Sequence, residues 1–283
     1  MQTVPTSTLD HRLADLHQEL TGLGSVLVAF SGGADSAFLL AAAVRSLGVG
    51  SVLAATAISP SLPAAELRSA ADFARGLGVR HVTPRTAEMT RSGYRANGGD
   101  RCYFCKAELL DVLRPVATAY GLGAIATGTN ADDAVAGFRP GIRAAAERDA
   151  RTPLRDAGLT KAQIRGASAR WGLPTWDKPA AACLSSRVAY GIEITPARLA
   201  RIETAERDLR AGLRAAGLEV TDLRVRDLGE TARVEVDPAL VPVLAERPDL
   251  LAAVRGFAAV ELDRRGFRSG SMNESLPDAA AFR

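Results

Sequence analysis

Two groups of residues in this chain have the types and spacing of a chemical site. The first is the hexapeptide Ser31-Gly32-Gly33-Ala34-Asp35-Ser36. It follows an apolar run, SVLVAF at residues 25–30, and leads into AFLLAAAVRSLG, which reads as a helix ending at Gly48. A strand, a glycine loop and a helix in that order turn backbone N–H groups and a helix N-terminus toward an anion such as phosphate. Two glycines let an oxygen approach the backbone closely, and two hydroxyls donate to it. Asp35 is placed either to cap the helix or to help hold Mg2+. The lysine of a Walker loop is absent, and the glycine spacing is not that of a dinucleotide fold. A plain strand-to-helix turn would need only the glycines, so the full S-G-G-x-D-S pattern favours a phosphate site.

The second group is Cys102-Tyr-Phe-Cys105 together with the distant Cys183, the only cysteines of the chain. An odd number with a C-x-x-C pair points away from a disulfide framework and toward a reduced compartment. Two thiolates one helical turn apart can bind one metal or one face of a cluster, with a third ligand coming from another loop. Three other uses stay open: a redox pair, part of a zinc site, or ordinary buried thiols. The histidines His11, His17 and His81 show no ligand spacing to the cysteines. Arg101 and Lys106 flank the pair and favour thiolate.

The elements that must position these residues follow from hydrophobic periodicity. Leu9, Leu13, Leu16 and Leu20 make an amphipathic opening helix. Further strands are expected at 51–59, 79–83 and 124–130, with helices at about 64–77 and after Cys105 to about residue 120. Alternating strands and helices of this length give an α/β fold, a parallel sheet covered on both faces. Residues 131–154 read as loop with a short helix, and TKAQIRGASARWG as a helix capped by Thr160. A boundary near residue 190 separates a domain at 1–190 from a smaller α+β domain at 191–283. There a long helix from Pro196 to about residue 216 precedes two alternating strands, a helix around 240–254 and a last strand at AAVELD.

Composition sets limits on the function. The chain is 283 residues long, 47% hydrophobic and 24% charged, proportions that exclude disorder, collagen and coiled coil. No apolar run approaches the roughly 20 residues of a membrane helix, and the N-terminus does not read as a signal peptide. The expected location is the cytoplasm. Net charge is only +3, and lysine occurs only at Lys106, Lys161 and Lys178, so arginine supplies the rest of the 35 basic residues. So mild a surplus does not establish nucleic-acid binding.

The hexapeptide resembles the pyrophosphate loop of the N-type ATP pyrophosphatases, a superfamily of synthetases and thiolases. That resemblance implies cleavage of ATP to AMP and pyrophosphate, with an oxygen of the substrate adenylylated and then displaced. It also implies that Gly128, Thr129 and Asn130 lie near the nucleotide. A narrower resemblance rests on DRCYFCK, TGTNADD with RPG following, TPLRDAGLTKAQIR, GLPTWDKPAAACLSSR, YGIEITPARL, RVRDLG with ARVEV, and GFRSGSMNE. Together and in this order they are similar to the LarE family, the sulfur transferases that build the nickel-pincer nucleotide of lactate racemase.

The family implies adenylylation of each carboxylate of pyridinium-3,5-biscarboxylic acid mononucleotide in turn, and replacement of an oxygen by sulfur. Implied with it are ATP, Mg2+, catalytic roles for Cys183 and Asp35, a nucleotide site at Ser31, Gly32, Gly33, Asp35 and Ser36, and a homo-oligomer of the hexameric kind; Arg187, four residues after Cys183, is placed for a catalytic role of its own, meeting the anionic intermediate near the sulfur. Arg224 and Arg226, alternating on one strand, match the arginines that receive the substrate phosphate; a solvated strand face is their plainer use. Of the family's two sulfur sources, one consumes a cysteine matching Cys183. The other uses three cysteines to hold a 4Fe-4S cluster whose open iron carries a sulfide. Cys102, Cys105 and Cys183 favour the cluster type. A tRNA thiolase with the same loop and cluster, and a non-enzymatic iron-sulfur or AMP-binding sensor, are the competing readings. Modest charge and the C-terminal motifs stand against the thiolase, so no nucleic-acid partner is expected. Glu203 and Glu206 suit a metal or, more simply, pairing with Arg207 or Arg210. Asp132 and Asp133 suit a metal or a turn.

Overall fold

The computed structural model describes residues 6–135, 140–179 and 182–275; Arg139 of the RPG motif and residues 180–181, just before Cys183, lie outside the described residues. Strands β1 (Val26–Ala29), β2 (Val52–Ala55), β3 (Arg80–Val82) and β4 (Ala124–Thr127) form a wholly parallel sheet in the order β3-β2-β1-β4. Val26 and Val28 face α1 (Thr6–Leu23), α2 (Ala34–Leu47), α3 (Ala64–Gly76) and α9 (Lys161–Arg170), with Leu16 and Leu20 of α1 buried among them. Leu27 points the other way, with Leu53 and Ala55, onto Leu113 and Ala117 of α5 (Arg101–Ala119). The two-residue period of each strand thus feeds two helical layers. Each leucine buried in them contributes about 1.5–3 kcal/mol.

Several boundaries differ from expectation. The one-turn helix α4 (Ser92–Arg95) precedes Gly98-Gly99, Asp100 takes the N-cap of α5, and the C-x-x-C pair lies in the first turn of that helix rather than ahead of it. Where one short helix is expected, three occur: α6 (Ala131–Val135), α7 (Pro140–Ala146) and α8 (Pro153–Asp156), two of them opening at a proline. Thr160 caps α9 as expected, in a reciprocal capping box with Gln163.

In the C-terminal part, α10 (Pro196–Ala215) packs Leu209 and Leu213 on a three-stranded sheet of β5 (Leu223–Asp227), β6 (Thr231–Val236) and β7 (Ala259–Leu262). β5 and β6 form a hairpin, and β7 runs parallel to β6. The helix expected around 240–254 is split into α11 (Val241–Glu246) and α12 (Pro248–Leu251). Pro248 has no N–H to give and drives Arg247 out of helical geometry (φ −125°, ψ 63°). A cluster of Tyr94, Leu184, Val188, Ile194, Leu199 and Ile202 packs residues from both sides of position 190 together. Fully buried Asp227 is gripped there by Arg198 (2.9 Å) and Arg201 (2.5 Å). Among the described residues no helix is long and apolar enough to cross a membrane.

Candidate active site

The chain runs from β1 outward to β2 and β3, then returns to place β4 on the other side of β1. That reversal opens a crevice beyond the C-terminal ends of β1 and β4, the usual ligand position in such sheets. Ser31, Gly32 and Gly33 enter it from β1, and Gly128, Thr129 and Asn130 from β4. Gly32 has φ +74°, and Gly128 comes so close that a Cβ there would lie 2.9 Å from the Ser36 nitrogen. Only glycine fits either place.

The loop is tied internally. Ser36 Oγ donates to Gly33 O (3.1 Å), Gly33 N donates to Ser31 Oγ (3.3 Å), and the two hydroxyls lie 3.0 Å apart. Gly33, not Asp35, is the N-cap of α2, which removes the capping use of Asp35. Asn130 donates to Asp35 Oδ2 (3.2 Å), while Oδ1 is buried without a partner among the described residues. Burial pushes the Asp35 carboxyl above its ordinary value, and the positive charge of Lys161 works against the rise. An orphaned carboxylate oxygen beside a phosphate loop suits a divalent cation brought in by a nucleotide.

The crevice widens into a cavity of about 510 Å3 lined by Ser31, Gly33, Asp35, Ser36, Gly128 and Thr129, and also by Thr56, Glu88, Lys106, Lys161, Arg165, Lys178, Cys105 and Cys183. Lys178 Nζ donates to Gly32 O (3.0 Å) and to Glu66 (2.7 Å), which ties the segment leading to Cys183 onto the loop. Lys161 opens α9, where Asp132 accepts from its backbone N (2.8 Å). Asp133 and Asn130 cap one another across the start of α6 (3.1 and 3.3 Å), so both aspartates have a structural use as turn and cap.

Cys183 begins a single 3-10 turn, Leu184–Arg187. Leu184 N donates to Ser61 O (2.9 Å), holding this turn against the cavity wall. Arg187, 4% exposed, donates to Glu206 (2.9 Å) and to the carbonyls of Ala182 (2.5 Å) and Cys183 (3.0 Å). Its guanidinium supports the cysteine turn from behind and lines neither cavity. Glu206 also accepts from Val225 N (3.0 Å), and Glu203 accepts from Ala64 N (2.8 Å) at the start of α3. The partners expected for these two glutamates, Arg207 and Arg210, are therefore not theirs.

A second cavity of about 420 Å3 adjoins the first, with Lys106, Thr129, Asp133 and Ala182 belonging to both walls. It is lined by Arg101, Cys102, Tyr190, Arg224, Arg226, Phe267, Ser271 and Asn273. Arg224 and Arg226 share one face of β5 and are buried, not solvated. Arg226 pairs diagonally across the hairpin with buried Glu235 (2.6 Å), and Ser271 donates to the same carboxylate (3.0 Å). Arg224 lies over the Phe267 ring (4.9 Å) and bonds Leu223 O (2.8 Å); burial, then the charge of Arg187, lowers its pKa.

Cys105 and Cys183 face the first cavity and exposed Cys102 the second. Burial chiefly, then the charges of Cys183, Glu88 and Cys102, push the Cys105 thiol up. Thiolates are ligands that suit a soft metal. Among the described residues, however, no three His, Cys, Asp or Glu side chains gather as a ready ligand set.

No family model matches the chain. A pyridinium-3,5-bisthiocarboxylic acid mononucleotide synthase of Lactiplantibacillus plantarum is 32% identical over 276 residues, 96% of this chain and 98% of its own length. The chain belongs to the LarE family. An uncharacterised Synechocystis protein is 41% identical over 273 residues, 95% of this chain and 99% of its own. An uncharacterised protein of Methanocaldococcus jannaschii is 28% identical over 175 residues, 61% of this chain and 66% of its own.

Set beside this LarE-family fold, the sequence overlooked Lys161, Arg165, Lys178 and Glu88 as cavity residues. One signal was available: the three lysines of an arginine-rich chain all line the first cavity. A compact ammonium does there what a guanidinium fork does not.

Proposed function

We propose that this LarE-family chain is an ATP-dependent sulfur transferase acting on pyridinium-3,5-biscarboxylic acid mononucleotide, and that it converts each carboxylate in turn to a thiocarboxylate. The observation that carries this reading is the pair of adjoining cavities: one built around a phosphate loop, the other around buried arginines, with thiols at both. ATP takes the first cavity, its phosphates against Ser31–Ser36 and the ammoniums of Lys161 and Lys178, with Mg2+ at Asp35. The mononucleotide takes the second, its phosphate toward Arg224 and Arg226.

A carboxylate oxygen reaching across the shared wall attacks the α-phosphorus; the bond to the β-phosphate breaks and pyrophosphate leaves with the electron pair. Charge developing on the phosphates meets fixed donors of the loop rather than reorienting water. A sulfur nucleophile presented at the Cys183 edge then attacks the acyl carbon, and AMP departs carrying the former carboxylate oxygen. Arg187 acts as a positioning residue, holding the carbonyl of Cys183. Bound by Cys102, Cys105 and Cys183, a 4Fe-4S cluster would supply an exchangeable sulfide at its open iron. The place of Cys183 on the wall of the first cavity also supports a second reading, in which Cys183 gives up its own sulfur.

Anaerobic reconstitution with iron and sulfide decides between them. The cluster reading expects uptake of about four irons, repeated turnover with pyrophosphate release, and an intact Cys183 by mass spectrometry. A chain that takes up no iron and loses hydrogen sulfide from Cys183 after one turnover overturns it. No pyrophosphate release with ATP and the mononucleotide overturns the transferase reading itself.

A further inference from the structure

Arg101 is 5% exposed, yet it lines the second cavity and has no carboxylate partner among the described residues. Its position is fixed. Nη1 donates to Asn97 Oδ1 (2.6 Å) and to Ser185 O (3.0 Å). Asn97, held at φ +55°, in turn donates through Nδ2 to the carbonyls of Ala189 (2.8 Å) and Ile192 (3.0 Å). Nη2 and Nε take no protein acceptor among the described residues, and they are not among the fully enclosed orphaned atoms. One edge of the fork therefore opens on the cavity. Arg226, by contrast, already has Glu235. A buried cation without a counterion is costly, so such a group calls for an anion.

Resting on the function proposed above, we infer that Arg101 is the binding residue for the substrate carboxylate that is not being activated. A ring bearing carboxylates at positions 3 and 5 sends them in diverging directions. The one meeting ATP must point over the shared wall, where Lys106 lines both cavities; the other points away from ATP. Arg101 lines only the second cavity and offers a planar fork to match a carboxylate or, after the first round, a thiocarboxylate. Cys102 and Cys183 are the competing anions, and the test separates them from the substrate.

The test compares the full-length chain with Arg101→Gln and Arg101→Lys, purified anaerobically. Two probes are titrated by calorimetry: pyridinium-3,5-biscarboxylic acid mononucleotide and nicotinamide mononucleotide, which has the same phosphate and ring but no carboxylate. Arg101→Gln is expected to weaken the dicarboxylate roughly 10- to 100-fold and to leave nicotinamide mononucleotide nearly unchanged. In turnover KM rises by a similar factor while kcat holds, the mark of a contact made equally in ground and transition states. Equal weakening of both probes, or a fall in kcat at constant KM, overturns the inference. If thermal melting shows that Arg101→Gln does not fold, Arg101→Lys decides: it keeps charge but loses the fork, and an unchanged dicarboxylate affinity overturns the inference. Arg224→Ala separates the two levels, because its failure to weaken either probe refutes the phosphate placement while leaving Arg101 to be judged on its own result.

Discussion

The two cavities meet at one wall but are built by different means. The first is built around a backbone loop between β1 and α2, with a glycine that touches it from β4 and side chains that reach in from α9 and from the segment before Cys183. Its shape follows from the strand order of the parallel sheet. The second is made of long side chains from distant parts of the chain, Arg101, Arg224, Arg226 and the 267–273 segment, with one of its cations already paired to a buried acid. Backbone donors suit a ligand whose charge is always the same, such as a polyphosphate. Buried guanidiniums held in place by the fold suit a ligand whose identity must be checked.

Breaking the second cavity should cost most in stability. Arg226→Met leaves Glu235 buried without its cation and is expected to destabilise the fold by about 3–5 kcal/mol in denaturant titration. Mononucleotide affinity should fall while the KM for ATP stays unchanged. A rise in the ATP KM of the same size would mean that the two cavities act as one.

In the first cavity the effect should appear in chemistry. Asp35→Asn is expected to reduce pyrophosphate release at least about 100-fold, with mononucleotide binding intact. The same substitution should simplify the pH dependence of stability. Because burial raises the Asp35 carboxyl, the folded protein holds a proton that the unfolded chain has released, so this residue lowers stability as pH rises from the ordinary carboxylate value through the raised one. Melting temperatures across that window should flatten in the variant, and an unchanged slope would count against the buried position of Asp35. Smallest of the three, Lys178→Met should raise the KM for ATP several-fold, since one exposed-edge ammonium among several is lost. It should also speed alkylation of Cys183, whose segment it tethers; unaltered alkylation would show the tether to be incidental.

The same contrast explains what the sequence disclosed. A contiguous motif between a strand and a helix, S-G-G-A-D-S, is local, so its conformation and partners could be read from it, as could the alternation of strands and helices that places it. The capping box at Thr160 is local too. Glu203 and Glu206 were read from their neighbours on the chain, but the partners that hold them, Ala64 N and Arg187, lie 139 and 19 residues away, where only the tertiary fold brings them together. Arg101 was read as a neighbour of Cys102, and nothing in its sequence context says that Asn97 aims it into a cavity. The split of α11 from α12 was legible in Pro248 and was outweighed by the hydrophobic pattern around it.

The placement of the three lysines has a further chemical consequence. On the function proposed above, the first cavity produces an acyl adenylate, which is an acylating agent toward amines. Every lysine amine of this protein lines that cavity, and apart from three histidines its remaining basic side chains carry guanidinium, a poor nucleophile. The lysine amines are thus gathered where the reagent forms, and that of Lys178 is tied there to Glu66 and to the Gly32 carbonyl.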